Sequence, residues 1–116
     1  VRWLEADVRQ AKLEAGSYDL WHDRALFHFL VGAADRRRYV ATLRAALKAG
    51  GWAVVAAFAS DGPDWCSGLP CERYSPASLA TALGPGFVLV ETVDETHRAP
   101  WGAEQRFIYC RFRCEA

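Results

Sequence analysis

The chain reads as an α/β fold: one domain, residues 1–116, on a single sheet that is mostly parallel and ends in an antiparallel pair of strands. Three observations predict it. Strand-like and helix-like runs alternate along 116 residues, about the length one hydrophobic core needs. Trp52 to Ala59 is apolar without alternation, the pattern of a strand covered on both faces by helices. Phe87 to Val93 and Gln105 to Cys114 are strand-like and joined by a connection short enough for an antiparallel pair.

In chain order, Trp3 to Val8 is a short strand with the acidic Asp7 at its end, and Arg9 to Gly16 has the Ala, Lys, Leu and Glu of a helical crossover. Tyr18 to Trp21 is the second strand, leading into His22-Asp23-Arg24. Ala25 to Leu30 is a helical turn ending near Gly32. Asp35 is the expected N-cap of a helix whose inward positions are Tyr39, Val40, Leu43, Ala46 and Leu47, closed by Gly50 or Gly51. Arg36, Arg37 and Arg38 oppose the positive end of that helix, so a carboxylate such as Asp35 is expected beside them on a solvated face. Trp52 to Ala59 is the central strand, and Ser60 to Glu72 is a loop without periodicity. Ser75 as cap and Pro76 at the first helical position start the next helix, which Gly84 ends.

Lys and Arg number 14 and Asp and Glu 14, so no net field favours nucleic acid or an anionic membrane as partner. No apolar run is long enough to cross a bilayer and the N-terminus has no signal pattern, so a cytoplasmic location is expected. The cysteines, Cys66, Cys71, Cys110 and Cys114, are spaced C-x4-C and C-x3-C, which is not a zinc-ribbon pattern. No metal site is expected, and the thiols are read as small packed residues.

The stretch Tyr18 to Leu30, YDLWHDRALFHFL, resembles the fourth strand of class I S-adenosylmethionine-dependent methyltransferases, especially the small-molecule, thiopurine-methyltransferase-like branch. Leu47-Lys48-Ala49-Gly50-Gly51 is similar to that family's Leu-Lys-Pro-Gly-Gly turn, with alanine in place of proline, and the two late strands are similar to its sixth and seventh. The resemblance implies a truncated Rossmann-like sheet, S-adenosylmethionine as cofactor and a small-molecule acceptor. It also implies that the chain corresponds to the family's C-terminal two-thirds. No Gly-x-Gly-x-Gly loop occurs in these 116 residues, so the chain alone is expected to hold the cofactor weakly or not at all.

By family position Asp7 and Val8 are the cofactor-binding candidates, at the adenine; a solvated strand end and a core valine are the plainer readings. His22, Asp23 and Arg24 end a parallel strand, where open α/β sheets build their sites, and are the catalytic candidates. Methyl transfer needs in-line positioning and a base only where the acceptor must lose a proton. His22 and His28 are the candidates for that base, although His28, between Phe27 and Phe29, also reads as a hydrogen-bonded core histidine. Asp61, Trp65 and Cys66 in the loop after the central strand, and His97 and Trp101 between the last strands, are substrate-binding candidates.

Two functions remain open: part of a methyltransferase whose glycine loop lies on other sequence, or a non-catalytic small-ligand-binding or self-assembling protein. The resemblance also leaves the strand around Asp19 without its inner neighbour, which points to a homodimer or larger homo-oligomer with Val1 to Leu20 at or near the interface.

Overall fold

The computed structural model describes residues 13–115 apart from 25, 64 and 67, and only the backbone of Cys66. The strand expected at Trp3 to Val8, with Asp7 and Val8, lies outside the described residues. So does the start of the crossover, whose end at residues 13–16 is a turn and not a helix. That turn is fixed by Gly16 and Ser17, whose amides donate to the carbonyls of Ala45 (2.8 Å) and Ala46 (3.1 Å) at the end of the first helix.

The elements are β1 (Tyr18–Arg24), a 3-10 turn (Phe27–Phe29), α1 (Ala33–Ala46), β2 (Leu47–Phe58), β3 (Trp65–Cys66), β4 (Leu69–Pro70), α2 (Pro76–Leu83), β5 (Phe87–Arg98) and β6 (Glu104–Cys114). Local chemistry sets α2. The Ser75 hydroxyl accepts from the Ser78 amide, the Ser78 hydroxyl accepts from the Ser75 amide, Pro76 opens the first turn, and Gly84 is the C-cap. α1 starts earlier than expected, with Gly32 as N-cap and Asp35 inside the first turn, 3.9 Å from Arg38. It also ends at Ala46 rather than at a glycine, because Leu47 to Gly51 already belong to β2. Gly50, at φ 81°, allows the bulge there, where Tyr18 pairs with Leu47 and Leu20 with Trp52.

The main sheet has the order β1-β2-β6-β5. Among the described residues it is not mostly parallel: β1 and β2 run parallel, whereas β2–β6 and β6–β5 are antiparallel. The reason is the return of β6. It folds back from β5 through a tight turn, in which Ala99 N donates to Ala103 O at 2.8 Å, and takes the place beside β2. The loop expected from Ser60 to Glu72 contains the two-residue hairpin β3–β4.

Both helices contribute to one core, formed by Tyr39, Leu43, Leu79 and Leu83 with Ala53, Val55, Ala57, Ile108, Cys110 and Phe112 of the sheet. The opposite face carries Leu20, Trp52, Ala56, Phe107, Tyr109 and Val93, and no described helix covers it. Helices thus cover β2 on one face only, and burial on the other has a different source: there Phe58 is stacked by His28 at 4.3 Å and flanked by Phe107 at 4.8 Å. Arg111 and Arg113 lie over Trp52, with guanidinium carbons 4.7 and 5.4 Å from its ring centre. Cys71, Cys110 and Cys114 are buried, and burial pushes the Cys110 thiol up.

Candidate functional site

β1, β2 and β5 point the same way, so Arg24, Phe58 and the β5–β6 turn gather at one end of the sheet, the carboxyl end of the parallel pair. Consecutive residues of β1 face opposite sides, and this parts the expected triplet. Asp23 turns into the core; His22 and Arg24 turn to the open face and are exposed.

Asp23 is 5% exposed, and both of its carboxylate oxygens accept hydrogen bonds. Oδ1 accepts from Leu26 N at 2.7 Å, and Oδ2 accepts from Phe27 N at 3.1 Å and from the Tyr39 hydroxyl at 2.6 Å. The Tyr39 oxygen in turn accepts from Trp21 Nε1 at 2.9 Å. Burial raises the Asp23 carboxyl above the usual range, against the lowering effect of the Tyr39 and backbone bonds. Burial and the Asp23 charge also hold the Tyr39 phenol protonated far above its ordinary value. This chain of bonds fixes the 3-10 turn after β1 and engages both Asp23 oxygens inside the fold.

His28 is 1% exposed, and its Nδ1 accepts from Phe58 N at 3.2 Å. The proton of the neutral ring therefore sits on Nε2, which finds no partner among the described residues. Burial lowers its pKa to about 4. His28 is thus a neutral, hydrogen-bonded core histidine that ties β2 to the 3-10 turn.

On the open face, Arg24, Ala56, Glu95, His97, Gln105, Phe107 and Tyr109 line a cleft of about 460 Å³. The registers set its shape. Arg24 pairs with Ala56, Ala56 with Tyr109, Phe107 with Glu95, and Gln105 with His97, so Ala56 and the two rings are the floor and Arg24 and the Glu95–His97 pair are opposite walls. The side chains of Arg24, Glu95, His97, Gln105 and Tyr109 make no hydrogen bond or ion pair within the described residues.

Of the loop candidates, Asp61 lies 3.8 Å from Arg106 and fixes the segment after β2 against the start of β6. Gly62 sits so close to the Arg106 carbonyl that a Cβ there would approach to 2.6 Å. Trp65, 60% exposed on β3, and Trp101, 75% exposed in the β5–β6 turn, stand outside the cleft; only the backbone of Cys66 is described. Thus the structure brings Arg24 and His97 together and leaves Asp61, Trp65 and Trp101 outside. Glu95, Gln105 and Tyr109 were not legible as site residues. Their signal is the alternation of β5 and β6, which places every second residue on the open face once β5 is known to run past Val93 to Arg98.

No family model and no curated protein matches the chain. Solved structures do. A SAM-dependent methyltransferase from Methanosarcina mazei superposes with a TM-score of 0.77 at 10% identity, over 95% of this chain and 65% of that one. The 1,6-didemethyltoxoflavin-N1-methyltransferase of Burkholderia thailandensis, solved with 1,6-didemethyltoxoflavin and S-adenosylhomocysteine, gives 0.75 at 21% identity, over 99% and 51%. The cyclase SpnF gives 0.68 at 14%, over 96% and 54%. The chain therefore has the α/β fold of class I methyltransferases and spans about half to two-thirds of the length of these proteins.

Proposed function

We propose that this chain supplies the acceptor-binding side of a small-molecule methyltransferase of the S-adenosylmethionine-dependent type, in the thiopurine-methyltransferase-like branch, and does not hold the cofactor by itself. The observation that carries the reading is the cleft. Four polar side chains without partners among the described residues, Arg24, Glu95, His97 and Gln105, converge on an aromatic floor at the carboxyl end of the parallel strands, where α/β folds place ligands.

The described residues do not fit the cofactor. Neither described helix opens on a glycine turn that follows a strand directly: α1 is capped by Gly32 after the 3-10 turn, at φ −88°, and α2 by Ser75. Asp7 and Val8, the adenine candidates, lie outside the described residues. Within the cleft, Arg24 attracts an anionic group, His97 exchanges a proton or a hydrogen bond with the acceptor, and Phe107 and Tyr109 hold a flat body. His22 stands on the same face as Arg24 but outside this lining. Asp23 and His28 hold the strand end in place.

A second reading has its own support. SpnF, described as a cyclase, has the same fold, so the fold also carries chemistry other than methyl transfer. For the chain itself we place it in the cytoplasm as a homodimer or larger homo-oligomer. No strand pairs with the outer edge of β1 among the described residues, Tyr18 and Leu20 are exposed there, and no described helix is long and apolar enough to cross a membrane.

Titration calorimetry with S-adenosylmethionine tests the division between acceptor and cofactor sides. The expected result is no saturable binding below millimolar concentration; micromolar affinity for this chain would overturn it.

A further inference from the structure

The two walls of the cleft carry opposite charge, and no described residue between them neutralises either. Arg24 stands on β1 and Glu95 on β5, at the two edges of the four-stranded sheet. Three inter-strand steps separate these edges, roughly 14 Å between backbones. Across that width the floor is Ala56 with the rings of Phe107 and Tyr109, and it offers no charge. Other charged groups nearby are already paired: Asp61 with Arg106, Arg98 with Glu104, and Glu91 with Arg111. Arg24 and Glu95 have no such partner among the described residues and lie too far apart to pair with each other without leaving the walls.

From this arrangement we infer that the cleft takes a flat, zwitterionic small molecule: an aromatic body lying over Ala56 between Phe107 and Tyr109, an anionic group held by Arg24, and a cationic or amino group held by Glu95. The inference rests on the acceptor reading above and narrows it to one class. Arginine presents a planar fork of donors suited to a carboxylate, whereas Glu95 accepts from an ammonium. His97 and Gln105, facing each other across β5 and β6, border the Glu95 end and add donor and acceptor positions there. The volume, about 460 Å³, is within the usual range for pockets that hold a molecule of one or two rings. Ala56 matters by its smallness, since a larger side chain would fill the middle of the floor.

The test is a nuclear magnetic resonance titration of the whole chain with three probes: 4-(aminomethyl)benzoate, benzoate and benzylamine. The shifts followed are those of Ala56, Phe107 and Tyr109. The zwitterion is expected to bind at least tenfold more tightly than either half molecule. Arg24→Ala is expected to reduce it to the level of benzylamine, Glu95→Gln to that of benzoate, and Ala56→Leu to abolish the shifts for all three. Equal binding of the three probes at these residues would overturn the zwitterion inference while leaving an acceptor cleft in place. No perturbation of the cleft by any probe would overturn both. Retained zwitterion preference in both Arg24→Ala and Glu95→Gln would show that the charges act elsewhere, and would overturn the inference alone. The spectra of each variant report its folding directly.

Discussion

The two faces of the sheet differ in how they treat polar groups. On the helix-covered face Asp23, Tyr39 and Trp21 form a closed series of hydrogen bonds, every link 2.6 to 3.1 Å long, inside hydrocarbon. On the open face Arg24, one residue further along the same strand, has no partner within the described residues and lines a cleft with Glu95, His97 and Gln105. Neighbouring residues are thus turned to opposite environments by the alternation of the strand: one face holds the fold together, and the other carries the cleft for which binding is proposed above. Substitutions should separate these roles.

The largest effect is expected at Asp23. Its removal in Asp23→Ala leaves the Tyr39 hydroxyl and the amides of Leu26 and Phe27 without an acceptor, which costs about 3 kcal/mol in urea unfolding. A loss below about 1 kcal/mol would mean that water reaches this site and that the covered face is not closed.

His28 comes next, through pH. Its folded pKa of about 4 lies below the ordinary 6.5, so the unfolded chain takes up the proton first as the pH falls. The stability it contributes is fully present above 6.5 and is lost as pH falls through 4, about 3 kcal/mol over the whole window. Asp23, with a raised pKa, acts in the opposite sense: its contribution is present in acid and is lost as pH rises through its folded value. Comparing unfolding free energies of the native chain and His28→Phe between these limits isolates the histidine, and equal pH slopes would contradict the assignment.

A smaller effect is expected at Arg44, which joins the two helices on the covered side. Its guanidinium donates to the carbonyls of Leu83, at 2.9 Å, and Pro85, and lies 4.8 Å over the Phe87 ring. Arg44→Ala should lower stability by about 1.5 kcal/mol. Thermal unfolding checks this, and an unchanged midpoint would show the clasp to be dispensable.

How much of this was legible in the sequence depended on the range of the interactions. α2 was readable to its ends because Ser75, Pro76 and Gly84 act within one turn. The polar strand end His22-Asp23-Arg24 was readable for the same local reason, a polar group after an apolar run, but not that alternation turns Asp23 into the core and Arg24 to the open face. The partner of Asp23 was not: Tyr39 is 16 positions away and on another element. Nor was the place of β6 between β2 and β5, which depends on pairing across the whole sheet. That pairing also extends β5 through Asp94, Glu95, Thr96, His97 and Arg98, residues with little strand character of their own, and so Glu95 was hidden in what read as a connection.

The smallest expected change in stability carries the most direct test of the division between the faces. In Arg24→Ala the unfolding free energy should stay within about 0.5 kcal/mol of the native value, because the side chain is exposed and has no partner among the described residues. In the same protein, binding of 4-(aminomethyl)benzoate should fall at least tenfold. Arg24→Ala with a stability loss as large as that of Asp23→Ala, and with its affinity for this probe unchanged, would contradict the assignment of binding to the open face.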